Sequence, residues 1–73
     1  MFDVKIFGQR LLLLRKEKGA KRADIAKLLE ISVTQVGDME RGNSATTMAR
    51  LYQLCDYFNV SADYFLGRTD EPN

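Results

Sequence analysis

The 73-residue sequence contains no histidine, no tryptophan and only one cysteine. Without histidine the chain lacks the commonest general base and the commonest zinc ligand of proteins. Its single thiol, Cys55, can form neither an internal disulfide nor a cysteine cage around a metal ion. The nearest approach to a carboxylate cluster is Asp24, Glu30 and Asp38, which helical periodicity spreads over two helices. We therefore expect no enzyme, no metal, no cofactor and no small-molecule substrate.

Long apolar runs are also absent, since the longest extends only from Leu11 to Leu14. Such a run is too short for a signal peptide or a membrane span. A small domain without disulfides is typical of a reducing compartment, so we expect a cytoplasmic protein with no membrane partner. Cys55 lies in a stretch of helical apolar periodicity, which favours packing against the core; a redox sensor is the alternative.

The net charge of +1 conceals an uneven distribution. Residues 1–22 hold seven cations against two anions, a net of +5, whereas residues 23–73 hold four cations against eight anions, a net of −4. This asymmetry predicts one basic face and one acidic face. The alternative is a set of ordinary solvated lysines at a helix end.

Apolar residues recur at helical spacing along most of the chain, and strand-type alternation is absent. The chain is long enough for one domain, which we place at residues 1–67, followed by a flexible tail at 68–73. The pattern predicts an all-α fold of five short helices, at about Val4–Glu17, Lys21–Leu29, Ser32–Arg41, Thr47–Phe58 and Ser61–Leu66.

Local signals support these helix limits. Ser32 followed by Gln35 is a capping-box pattern at the start of the third helix, and Gly42 is a natural stop at its end. One face of each helix is expected to form a shared core. The main predicted core residues are Phe7, Leu11, Leu14, Ile25, Ala26, Leu29, Val36, Met39, Met48, Leu51, Tyr52, Leu54, Cys55 and Phe58.

The block DIAKLLEISVTQVGDMERG at residues 24–42 resembles the Cro/CI-type helix-turn-helix family of phage and bacterial repressors, also called the XRE family. The similarity extends from Phe7 to Gly67 and continues at family spacing through Leu51 and Val60. It implies a compact five-helix, lambda-repressor-like DNA-binding domain with its helix-turn-helix at about residues 21–41. A small residue such as Ala26 would let the two helices of this unit approach closely.

The resemblance also implies a recognition helix at Ser32–Arg41, whose leading residues enter the major groove of DNA. The residues placed to contact base edges are Val33, Thr34, Gln35 and Asp38. The residues placed to contact phosphates are Arg10, Lys21, Arg22, Ser32, Asn43 and Ser44. Arg10 and Glu40 are further expected to form an ion pair between the first and third helices; two independent surface charges are the alternative.

Several positions depart from the family pattern. Lys21 stands where a hydroxyl cap is usual, and Arg22 replaces the usual glutamine, which would exchange a neutral phosphate contact for a charged one. Val33 can offer bases only an apolar contact, for example to a thymine methyl. Glu30 replaces the turn glycine, and Gly37 lies inside the recognition helix.

These features predict a sequence-specific regulator that binds double-stranded DNA, a repressor that occupies a pseudo-palindromic operator as a homodimer. The alternative is a protein-interaction module of the same fold, such as an antitoxin-like or antirepressor partner, with weak DNA binding. Four apolar or aromatic side chains are candidates for the dimer contact, although they could equally complete the core: Leu12, Leu13, Tyr57 and Tyr64.

Overall fold

Five α-helices and no strands make up the structure, a computed structural model that describes residues 1–73. The helices are α1 (Val4–Lys18), α2 (Arg22–Leu29), α3 (Val33–Glu40), α4 (Met48–Phe58) and α5 (Ala62–Phe65). The predicted all-α class and all five helices are confirmed, and every helix end lies within one residue of its predicted position. None of the helices combines the length and apolar character that a membrane crossing requires.

Side-chain caps fix where most of the helices begin. At the start of α3, Ser32 Oγ accepts the Gln35 N–H at 3.0 Å, and Gln35 Oε1 accepts the Ser32 N–H at 2.9 Å. The predicted capping box is therefore present, and it satisfies two backbone donors at this helix end. Thr47 and Ser61 cap α4 and α5 through their hydroxyls in the same way.

The turn between α2 and α3 is tight and places one residue in an unusual backbone conformation. Glu30 ends α2 with a φ of 57°, in the left-handed region that usually favours glycine. At the other end of α2, Lys21 has no side-chain acceptor for a cap, but its own N–H donates to Asp24 at 2.8 Å. The left-handed Glu30 and the missing side-chain cap at Lys21 are both locally unfavourable. Only three residues separate α2 from α3.

Eleven buried hydrophobic residues from all five helices form one core. The rings of Phe7 on α1 and Phe65 on α5 lie 5.7 Å apart at its centre. The prediction was wrong for two α4 residues, since Met48 and Tyr52 are 87% and 70% exposed. The buried stripe of α4 centres on Leu54, and Met48 and Tyr52 lie to one side of that stripe. The full core is Phe7, Leu11, Leu14, Ile25, Ala26, Leu29, Val36, Met39, Leu54, Tyr64 and Phe65.

Two glycines allow close backbone approaches to α1. A Cβ at Gly8 would lie 2.8 Å from the carbonyl oxygen of Glu40, so the missing side chain lets α1 pack directly on α3. Gly42, just after α3, has a φ of +77° and would place a Cβ 2.9 Å from Lys5 Cα. Gly42 therefore ends α3 as predicted, and α1 fixes the position of that end.

The carboxyl-terminal segment, residues 68–73, folds back on the domain. Arg10 donates to the carbonyl oxygens of Tyr64 and Thr69 and, at 2.9 Å, to the carboxylate of Asp70. The Ser61 N–H also donates to the carbonyl of Pro72, at 2.7 Å. The sequence did not predict these contacts, and the flexibility of this segment stays a prediction.

Candidate nucleic-acid interface

The leading edge of α3 is exposed to solvent. All four residues of Ser32–Gln35 are exposed, and Val33 retains 48% of its accessible surface. One turn further along, Val36 and Met39 are fully or almost fully buried. The core therefore holds α3 by one face and leaves its amino-terminal edge free to contact another molecule.

The exposed edge carries several hydrogen-bonding groups. Ser32 Oγ accepts a backbone N–H, which leaves its hydroxyl proton available to an external acceptor. The oxygen of the Gln35 side chain is occupied by the cap, whereas its NH₂ group has no partner within the chain. Thr34 adds a second exposed hydroxyl, and Val33 offers only methyl groups. This mixture of donors, acceptors and methyls matches the groups that base pairs display in the major groove.

Asp38, the remaining predicted base contact, lies one turn after this edge and has a partner of its own. Its carboxylate accepts from Arg41 at 2.7 Å, with side chains 41% and 54% exposed. Such an exposed pair contributes about 0–1 kcal/mol, so Asp38 can exchange this partner for another. Gly37 leaves room for the pair, because a Cβ there would lie 3.1 Å from the Arg41 guanidinium.

Behind the exposed edge, a buried carboxylate joins three helices. Glu40 on α3 has a side chain only 1% exposed and accepts from Arg15 on α1 through both of its oxygens. Arg22 at the start of α2 donates from Nε to the same carboxylate at 2.8 Å. Burial alone would raise the pKa of Glu40, but the hydrogen bonds and charges of the two arginines outweigh it and lower the pKa. The hydrogen bond to Glu40 in turn raises the pKa of Arg15.

The predicted ion pair between Arg10 and Glu40 is therefore wrong, because Arg15 occupies that place. Gly8 marks the face of α1 that meets α3, and Arg15 follows it by seven residues, about two helical turns, so both lie on one face. Arg10 lies on another face and stacks over Tyr64, 4.3 Å from the ring centroid. The spacing of seven from Gly8 is the sequence signal that favours Arg15 over Arg10 as the partner of Glu40.

The other predicted phosphate ligands have accessible side chains. Lys21 and Arg22 stand where α2 begins, and Asn43 and Ser44 follow the end of α3; all but the partly buried Arg22 are exposed. Arg10 differs, since its guanidinium already binds the carboxyl-terminal segment. Its contact with phosphate stays a prediction that the observed pairing does not favour.

The basic amino-terminal segment has less free positive charge than its composition suggests. Arg10 and Arg15 bind internal acceptors, and Lys18 donates to the Tyr57 carbonyl at 3.2 Å with its ammonium 4.6 Å from the Tyr57 ring centroid. Part of the excess cation count of residues 1–22 therefore holds the fold together.

The four candidates for a dimer contact differ in exposure. Tyr64 is only 7% exposed and belongs to the core, so for this residue the alternative of completing the core is confirmed. Leu13 is 49% exposed, while Leu12 and Tyr57 are half-buried. Leu13 thus has the most free apolar surface of the four.

Cys55 is half-buried against the core. Burial, together with the charge of Asp56, raises the pKa of its thiol. A raised pKa lowers the thiolate fraction, which favours the packing role over that of a redox sensor.

Two consecutive helices joined by a tight turn, with the second held by a buried face and its leading edge exposed, define a helix-turn-helix domain. The comparisons with known proteins agree. The sequence pattern of the HTH_3 family, described as helix-turn-helix, matches residues 11–65. The chain belongs to this XRE-type family of DNA-binding transcriptional regulators, whose members are not enzymes.

One relative is the HTH-type transcriptional regulator YazB of Bacillus subtilis, which is 39% identical to this chain over 61 residues. The matched residues cover 84% of this chain and 88% of YazB. PrpR, an HTH-type transcriptional regulator of Mycobacterium tuberculosis, is 35% identical over 63 residues, which span 86% of this chain but only 13% of PrpR. The matched region thus occurs both as most of a small protein and as a small part of a large one.

Solved structures share the same architecture. A transcriptional regulator from Listeria innocua superposes with a TM-score of 0.82 at 32% identity, covering 89% of this chain and 61% of that one. The restriction-modification controller protein C.AhdI from Aeromonas hydrophila superposes with a TM-score of 0.74 at 28% identity. The superposition covers 86% of this chain and 96% of C.AhdI. The lambda-repressor-like fold is therefore confirmed.

Proposed function

We propose that this chain is a cytoplasmic repressor that binds a pseudo-palindromic operator in double-stranded DNA as a homodimer. The observation that carries this proposal is the exposed edge Ser32–Gln35 on a helix whose next turn enters the core. An edge of this kind can enter the major groove without any rearrangement of the fold.

In this proposal one part of the surface contacts base edges and another part contacts phosphates. Discrimination between sequences comes from contacts of Val33, Thr34, Gln35 and Asp38 with base edges. Register and affinity come from contacts to phosphate. The groups placed to make them are Lys21, Arg22, Ser32, Asn43 and Ser44, with Arg10 as a further candidate if the carboxyl-terminal segment releases it.

A homodimer follows from the small size of this interface. One domain presents few base contacts, whereas two copies related by a two-fold axis would read two half-sites about 34 Å apart. The domain measures 28 × 22 × 21 Å, so two copies fit side by side at that spacing. Leu13, with Leu12 and Tyr57, is the candidate contact. Sedimentation equilibrium should show a concentration-dependent mass, and a constant monomer mass with one chain per duplex would exclude the dimer.

Selection of bound sequences from random duplex DNA at two salt concentrations tests the proposal. The expected result is an enriched pseudo-palindrome with half-sites about 10 base pairs apart. Of the cations proposed to contact phosphate, Arg10 is bound to the carboxyl-terminal segment, which leaves Lys21 and Arg22. A plot of log binding constant against log salt concentration should therefore have a slope of about −1.8 per chain, at −0.9 per phosphate. Binding without enrichment at either salt concentration would reject a sequence-specific regulator.

The alternative, a protein-interaction module such as an antitoxin-like or antirepressor partner, draws on the exposed apolar side chains. Val33, Met48 and Tyr52 are 48%, 87% and 70% exposed, and the net charge is only +1. A module of this kind would bind DNA weakly and without sequence preference at every salt concentration. The selection experiment therefore separates the two functions.

A further inference from the structure

Arg22 is held by one edge of its guanidinium and free at the other. Its Nε donates to Glu40 at 2.8 Å, while its two terminal nitrogens have no hydrogen-bond partner within the chain. The side chain retains 42% of its accessible surface, compared with 12% for Arg15. Glu40 therefore fixes Arg22 without enclosing it.

The two arginines around Glu40 have different roles in the geometry. Arg15 donates through Nε and Nη2 to both carboxylate oxygens, which already satisfies the buried charge. Arg22 adds a third donor from the exposed side, at the first residue of α2. A planar guanidinium held by Nε keeps its terminal nitrogens in a fixed arrangement, and such a fork matches the oxygens of a phosphate.

We propose that Glu40 is a positioning residue for DNA binding, which holds Arg22 through Nε so that its terminal nitrogens bind one backbone phosphate. This inference rests on the proposed function and identifies how one contact of that interface is prepared. The buried anchor removes most of the side-chain freedom that a surface arginine would lose on binding, and reduced ordering cost improves affinity. A lysine reproduces this arrangement poorly, because its ammonium group lacks the planar fork that presents one edge to the carboxylate and the other to a phosphate.

The test compares Arg22→Gln and Arg22→Lys with the unmodified chain, using the duplex enriched by the selection experiment. Fluorescence anisotropy over a range of salt concentrations gives both the affinity and the salt slope. For Arg22→Gln we expect a slope smaller by about 0.9 per bound chain and an affinity about eightfold lower at 0.1 M salt, the factor that one phosphate contributes. Arg22→Lys keeps the charge, so we expect it to keep most of the salt slope but to bind more weakly than the unmodified chain, because it lacks the anchored fork.

Arg68→Gln is the matched control, because it makes the same chemical change at a residue that is 75% exposed and pairs with Asp63 outside the proposed interface. It should leave affinity and slope unchanged. If Arg22→Lys binds like the unmodified chain, Arg22 acts as a charge alone and the positioning role is overturned. If Arg22→Gln also binds normally, Arg22 does not contact phosphate at all.

Glu40→Gln tests the anchor itself in a double-mutant cycle with Arg22→Gln. Once the anchor is gone, the additional effect of Arg22→Gln on affinity should be clearly smaller than in the unmodified chain. An undiminished effect in the Glu40→Gln background would refute the role of Glu40. Should Glu40→Gln fail to fold, the Arg22→Lys comparison alone decides. Absence of an enriched duplex would overturn the proposed function and this inference together, which distinguishes that failure from the other results.

Discussion

Replacement of Glu40 by glutamine should destabilise the domain more than any change to a surface ion pair. The Glu40 side chain is 1% exposed, and its loss of charge leaves Arg15 and Arg22 without a counterion. Removal of one partner of a buried pair costs about 3–5 kcal/mol. We expect the lower end, about 3 kcal/mol, because Arg22 can reach water once released.

This loss is large for a chain of 73 residues, since total stabilities are about 0.05–0.15 kcal/mol per residue. At about 4–8 °C per kcal/mol for a domain of this size, the Tm should fall by about 12–24 °C. Urea unfolding followed by far-UV circular dichroism at low temperature measures the difference directly. Asp63→Asn is the control, because the Asp63–Arg68 pair is 3.8 Å long and 67% and 75% exposed. An equal loss in both variants would refute the reasoning.

The pH dependence of the same two proteins gives an independent check. The pKa of Glu40 is lowered by folding, so its contribution is fully present above the unfolded carboxyl pKa of about 4.3 and is lost as the pH falls through the folded pKa. The unmodified chain should therefore lose stability faster than Glu40→Gln in this acid range. All other carboxylates are common to both proteins, so parallel stability curves would show that Glu40 is not the group responsible.

Three further substitutions test the local geometry by urea unfolding. Gly8→Ala should cost about 1–3 kcal/mol, because a Cβ would lie 2.8 Å from the Glu40 carbonyl oxygen and force α1 away from α3; a neutral result would contradict that contact. Glu30→Gly should stabilise by about 0.5–1 kcal/mol, since it relieves a left-handed φ of 57° at some entropic cost, and a loss of stability would disprove this. Ser32→Ala removes the α3 cap and should cost about 1 kcal/mol, whereas no change would mean that the cap contributes nothing.

The helices could be predicted because their signals are local. A serine with a glutamine three residues later, a glycine in the left-handed region and apolar residues at helical spacing all act within one or two turns. Ser32, Gln35 and Gly42 accordingly perform the roles that their order in the sequence indicated. The exposure of the leading edge of α3 followed from the same periodicity, because Val36 and Met39 fix which face is buried.

The ion pairs could not be predicted in the same way, because they depend on how helices are rotated against one another. Arg10 and Arg15 are both cations on α1, and only the packing of α1 on α3 at Gly8 selects Arg15 as the partner of Glu40. Tyr64 lies in a helix of four residues, too short for periodicity to define a face. Its burial beneath Arg10 depends on contacts between residues far apart in the sequence.

If α3 reads DNA as proposed, its two faces divide sequence preference from stability in this domain. Val33 and Thr34 contribute little to the core, and exposed substitutions usually change stability by no more than about 0.5 kcal/mol. Under the proposed function, their side chains can therefore change to suit a different operator while the fold remains intact. Glu40 has no such freedom, because the same carboxylate holds α1 and α3 together through Arg15 and orients Arg22 at the surface. A change at Glu40 should therefore affect both stability and phosphate binding, whereas a change at Val33 should affect base preference alone.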